Sequence, residues 1–235
     1  MATPSFTVTL RNALRTFDKE QLRWAADGFA AECFADDPSA LSELVALGEK
    51  TKVSDLDAML KLCAGRGPFD CFAMACLARH AGLGRDVTHR GVLHELPPAI
   101  AGDLTVEGPI VCTIENWLLV AGNVKAEALI VAADVVVAGS VEIRDGVFGI
   151  NNCNQSMWIQ GPLTTPVLIT EDYSTEIGAV QGEELALSNE RVDALLEEGL
   201  AEQIRGWQDE GPDGVIGNLL SHVTERLPVF RRSTA

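Results

Sequence analysis

Four glycines, Gly102, Gly122, Gly139 and Gly161, stand 20, 17 and 22 residues apart, and the residues around them repeat. Two and four positions before each glycine are Ile100 and Pro98, Val120 and Leu118, Val137 and Val135, Ile159 and Met157. Two and four positions after come Leu104 and Val106, Val124 and Ala126, Val141 and Ile143, Leu163 and Thr165. Apolar residues at every second position line one face of an extended chain. A helix, with about 3.6 residues per turn, scatters that pattern around its circumference. Eight residues after each glycine follow Ile110, Ile130, Val147 and Ile169, which read as the centres of a second short strand in each repeat. One such repeat cannot cover its own apolar side chains, so equal positions must stack into a continuous narrow core. The pattern predicts a parallel β-solenoid of about four turns over residues 98–180. Each glycine sits at a bend, or where neighbouring backbones approach too closely for a Cβ.

The other side of these strands is also partly apolar. Three residues before each glycine are Ala99, Leu119, Val136 and Trp158, and one before are Ala101, Ala121, Ala138 and Gln160. After the glycine the outward positions turn polar, with Asp103, Thr105, Asn123, Lys125, Ser140 and Glu142. Strands apolar on both sides are covered on both sides. The cover is either the chain's own helices or a partner, and in the second case Trp158 is a contact residue.

Both flanks read as helical, which makes the fold class α+β with segments 1–97, 98–180 and 181–235. A helix is expected over about Lys19–Phe34. Asp37-Pro38 opens another that runs towards Lys50. Ser54 is placed to cap a third, whose Leu56, Leu60 and Cys63 share a face. Gly65 and Gly67 end it, and Pro68 opens a helix over Phe69–Ala81. Gly82 to Pro97 reads as a connector. Beyond the solenoid, Val192, Leu195, Leu196 and Leu200 line one face of a helix expected over Asn189–Trp207. Gly211 to Gly214 reads as a turn, and Ile216–Arg226 as a last helix.

Charge narrows the choice of function. Of the net −16, residues 1–100 carry −2 and residues 101–235 carry −14. Such a surface repels phosphate backbones and attracts basic partners, which argues against nucleic acid. The densest acids, Glu171, Asp172, Glu183, Glu184, Glu197 and Glu198, lie in a stretch where twelve carboxylates face only Arg191 and Arg205. They are the candidate contacts for a basic protein, or else they simply keep the chain in solution. No apolar run reaches the roughly 18–20 residues that span a bilayer, and Met1 to Leu10 does not read as a signal peptide. The six cysteines contain no CxxC pair, and those at 33, 63, 71 and 76 sit among apolar residues, as buried reduced thiols do. A cytoplasmic setting is expected.

Signals of catalysis are weak. His80, His89, His94 and His222 are scattered rather than spaced as metal ligands, and phosphate-binding and nucleophile-elbow motifs are missing. Glu171-Asp172 reads as a charged turn rather than an acid/base pair. A non-enzyme without metal or cofactor is expected.

The glycine-centred segments, Gly102-Asp103-Leu104-Thr105-Val106 and Leu118-Leu119-Val120-Ala121-Gly122-Asn123-Val124, resemble the bactofilin-type, polymer-forming β-solenoid proteins of bacteria. The stretch Gly149 to Ile177, with Asn151-Asn152 and Val167-Leu168-Ile169-Thr170-Glu171-Asp172, resembles a branch that accompanies toxin genes. That resemblance implies an immunity protein, which neutralises a basic toxin domain by covering it. The alternative it implies is a structural scaffold assembled through the solenoid. Helical segments at both ends would cap the stack, so a monomer or small closed oligomer is expected.

Overall fold

The structure is a computed structural model, and it describes residues 5–22, 40–113, 116–150, 155–207, 211–225 and 227–231. The chain begins with α1 (Phe6–Leu14), which the repeat and capping arguments did not anticipate, and a 3-10 turn at Lys19–Leu22. The rest of the helix expected to Phe34, and the Asp37-Pro38 cap, lie outside the described residues. Then come α2 (Ala40–Lys50), α3 (Leu56–Ala64) and α4 (Pro68–His80). The cap of α3 is Asp55 rather than Ser54: Asp55 Oδ1 accepts the Ala58 N–H at 2.9 Å. Ser54 instead donates its hydroxyl to the Asp55 carboxylate. Helix α4 is the centre of this layer, because Phe69, Cys71, Phe72, Met74, Leu77 and their alanine neighbours are buried around it.

The solenoid is confirmed, and it is longer than expected. Strand β1 (Val87–Arg90) lies inside the segment read as a connector and pairs in parallel with β2 (Leu104–Glu107). A four-residue strand bounded by Gly84 and Gly91 carries too little alternation to announce itself. The other strands are β3 (Pro109–Cys112), β4 (Leu118–Val120), β5 (Val124–Val131), β6 (Val135–Val137), β7 (Val141–Ile150), β8 (Ser156–Glu171) and β9 (Ser174–Ala186). The ladder Val87, Leu104, Val124, Val141, Leu163, Val180 climbs through five steps, giving about five turns where the repeat had suggested four.

Each turn has three sides, not two. One side carries Ile100, Val120, Val137, Ile159 and Ile177 in register. The second carries the Val87 ladder. The third carries Leu93, Ile110, Leu129, Val147, Leu168 and Glu184. The aligned glycines mark the corner between the first two sides. A Cβ on Gly139 would come within 2.5 Å of the Gly122 carbonyl oxygen one turn below, and one on Gly161 within 2.7 Å of that of Gly139.

The fixed offset of eight residues fails at two of its four positions. Register shifts between Ala126 and Ala128, and again where β8 runs beside β7, leave β5 and β8 one residue shorter than β7 ahead of the third side. Leu129 and Leu168 therefore point inward, and Ile130 and Ile169 point out. A slip of one residue exchanges the two faces of a strand.

The outward rows explain where the helices go. On the first side, Ala99, Ala101, Leu119, Ala121 and Val136 share one core with α1 to α4, so the chain's own N-terminal helices cover this stripe. On the third side, Val111, Ile130, Phe148, Ile169 and Leu185 share a core with the C-terminal segment. The second side stays solvated, with Lys125 and Glu142 paired at 2.8 Å across adjacent turns. The described parts of both helical segments thus pack along the flanks of the stack.

The C-terminal segment is more broken than its periodicity predicts. Helix α5 (Val192–Leu195) stops at Leu196, which is extended and pairs with Phe230. After Gly199, at φ +76°, α6 (Leu200–Trp207) begins. Val192, Leu196 and Leu200 are still buried together, and only Leu195 is half-buried. The expected turn at Gly211 to Gly214 forms the start of α7 (Gly211–Thr224), since the first turn of a helix needs no backbone donor from a proline.

Candidate binding surfaces

The open end of the solenoid gathers four of the six acids singled out in the sequence. Strand β9 pairs only with β8 among the described residues, so it forms the last rung. Its inward positions abandon the apolar column. Ile177 and Val180 are half-buried, while Thr175 opposite Met157 and Glu184 opposite Leu168 are exposed. On the first side the outward stripe ends the same way. Trp158, half-buried against the N-terminal helices, is followed in register by exposed Glu176. The Trp158 indole donates to the Ser156 hydroxyl at 2.7 Å.

Glu171 closes β8, and Asp172 turns the chain in the left-handed region at φ +50°. Buried Tyr173 anchors that turn by donating to the Ala133 carbonyl at 2.5 Å. Burial, followed by the nearby Asp134 and Cys112, pushes the Tyr173 hydroxyl well above its ordinary range. Glu183 is bonded by Arg191, whose Nη2 donates at 2.9 Å. Glu171, Asp172, Glu176 and Glu184 have no cationic partner among the described residues.

Glu197 and Glu198 do not join this group. Glu198 is exposed beside Gly199, and Glu197 lines a cleft of about 630 Å³ on the third side. The cleft runs between the solenoid corner and the segment Leu227–Phe230. Three acids that the sequence reading passed over, Glu107, Glu127 and Asp145, line it from successive turns. Glu107 and Glu127 each stand five residues after an aligned glycine, and that coincidence was the available signal. Their counterions are Arg90 for Glu107, and Arg144 shared between Glu127 and Asp145, each at 3.0 Å or closer.

Three of the four histidines make contacts within the fold. His80 stacks edge-on to Phe17 and lies 3.0 Å from the Thr16 hydroxyl. His89 and His222 sit 3.1 and 3.0 Å from backbone carbonyls. Cys63 and Cys71 are buried free thiols, pushed up to about 12 by burial, and so stay protonated and unreactive at neutral pH. Cys33 and Cys153 lie outside the described residues. Among the described residues no group of three His, Cys, Asp or Glu side chains could hold a metal ion, and no helix is long and apolar enough to cross a membrane.

No known family model matches this chain, and no curated protein or solved structure is significantly similar to it.

Proposed function

We propose that this is a non-catalytic binding protein that holds a basic protein partner on its acidic C-terminal half, in the manner of an immunity protein occluding a toxin domain. The observation that carries this reading is the last rung. Among the described residues, strand β9 offers an unpaired edge whose side chains include Glu176, Glu183 and Glu184, with Arg191 alone set against them. Exposed edges invite pairing with another chain, and uncompensated carboxylates select a basic one. Half-buried Ile177 and Val180 supply the apolar contact that a charged surface alone lacks.

The scaffold reading draws on the same open end, because a second solenoid could stack there. Against it stands Glu184, which would be buried in the apolar column of any stacked copy.

The test is affinity capture from the native host, identification of the bound protein, and assay of that protein's activity with and without this chain. A basic protein that loses its activity when bound, and is released by Glu176→Lys with Glu184→Lys, supports the proposal. An acidic partner, or a partner that binds the double variant equally well, defeats it. Filaments formed by the intact protein would favour the scaffold.

A further inference from the structure

We propose that the cleft between the solenoid corner and the Leu227–Phe230 segment binds a small amphipathic cation, an ammonium or guanidinium head carried on an apolar body. Its volume, about 630 Å³, lies within the range of small-molecule sites. The apolar wall combines Val92 and Ala128 of the solenoid with Val223 and Val229 of the C-terminal segment, with Phe230 behind. That wall is fixed in place. The Phe230 ring rests on Gly146, where a Cβ would come within 2.5 Å of a ring carbon, and the Arg231 side chain ties the segment to the Leu196 carbonyl at 2.6 Å. Leu227, at the mouth, remains 45% exposed, so apolar surface is left without a cover.

Carboxylates stand on both sides. Glu107, Glu127 and Asp145 come from the solenoid corner, Glu197 stands beside Val229, whose carbonyl accepts the Glu197 N–H at 3.0 Å, and Arg90 and Arg144 return two positive charges. The half-buried Glu197 carboxylate has no cationic partner among the described residues. A cation with an apolar body meets both needs: its head pairs with Glu197, and its body covers Leu227 and half-buried Val92. An anion is repelled, and a neutral apolar molecule leaves the carboxylate facing hydrocarbon. This site is separate from the β9 edge and does not depend on a protein partner.

The experiment is a methyl-NMR titration of the intact protein with 4-phenylbutylamine. The neutral 4-phenylbutanol and the anionic 4-phenylbutyrate serve as probes with the same body. The amine should give saturable shifts confined to Val92, Val223, Leu227 and Val229, and bind about tenfold tighter than the alcohol, the worth of one charge-assisted contact. Glu197→Gln should remove that advantage and leave alcohol binding unchanged. Leu227→Ser, at an exposed position that the fold does not need, should weaken amine and alcohol alike. Equal affinity for amine and alcohol, unsaturable or scattered shifts, or amine binding indifferent to Glu197→Gln or Leu227→Ser would each overturn the assignment.

Discussion

Arg79, in the last turn of α4, donates from Nη1 to Asp103 Oδ1 at 2.9 Å, and so joins the N-terminal helices to a column of polar side chains. The column climbs the first corner of the solenoid. Asp86 accepts the Asp103 N–H at 2.9 Å, Asp103 accepts the Asn123 N–H at 3.0 Å, and Asn123 accepts the Ser140 N–H at 2.9 Å. Each side chain therefore satisfies a backbone donor of the next turn. The ion pair itself is exposed and contributes little; the ladder holds the register.

Asp103 gives the first prediction. The Asn123 N–H, ahead of the Asn123 amide and Arg79, holds its carboxyl below the ordinary carboxylate range despite some desolvation. A carboxyl lowered in this way contributes stability that is complete above its unfolded value and is lost as pH falls through the folded one. Asp103→Ala should cost about 1 kcal/mol at pH 7, allowing for its exposure, because the Asn123 N–H loses its acceptor. Asp103→Asn should cost less, since Asn123 already plays this part with an amide. Urea denaturation at pH 7 and pH 3 measures both, and the Ala penalty should shrink at the lower pH.

Asp134 should behave with the opposite sign. Burial pushes its carboxyl above the ordinary range, against the bond it accepts from the Ser156 N–H at 3.0 Å. A raised carboxyl costs stability once pH climbs above its unfolded value. Asp134→Asn keeps an acceptor for Ser156 and removes the desolvated charge. The variant should be more stable than wild type at pH 7, with the difference vanishing near pH 3. A difference independent of pH would contradict the burial argument.

Two glycines separate close approach from helix propensity. Gly139→Ala drives a Cβ into the Gly122 carbonyl and the Asn123 amide, at 2.5 and 2.4 Å, so backbone has to move. The expected loss is about 1–3 kcal/mol, the usual cost of overpacking. Gly217, inside α7, has open space around it, and Gly217→Ala should stabilise by about 0.5–1 kcal/mol through helix propensity. Thermal melts of the two variants should move in opposite directions.

Glu184 guards the open end. It occupies the column of Leu93, Ile110, Leu129, Val147 and Leu168, where every other residue is buried and apolar. An inward-pointing charge on a last rung opposes edge-to-edge association. Wild type should stay monomeric in light scattering, and Glu184→Leu should associate as concentration rises. An unchanged monomer in the variant would show that something else blocks this edge.

Val120, Val137 and Ile159 could be read as one buried column, and Leu119, Val136 and Trp158 as its reverse side, because side chains alternate strictly along a strand. The third side was blurred. Ile130 and Leu129 are both apolar and buried, so hydrophobicity does not say which faces the solenoid core and which faces α7. A shift in register between Ala126 and Ala128 settles it, and such a shift has no fixed signature in composition. The acids of the cleft were hidden for a different reason. Glu107, Glu127 and Asp145 are each ordinary carboxylates until successive turns stack them along the cleft that Glu197 also lines.

The chain's periodic residues are enough to determine a parallel stack with glycine corners, since alternation and close approach are local properties of the backbone. Which helices cover which side, where the last rung lies open, and what Phe230 rests on were decided only in three dimensions. Those contacts join residues as far apart as Gly146 and Phe230. The free energy of such burial depends on the fit of two surfaces, and neither surface is complete in its own stretch of sequence.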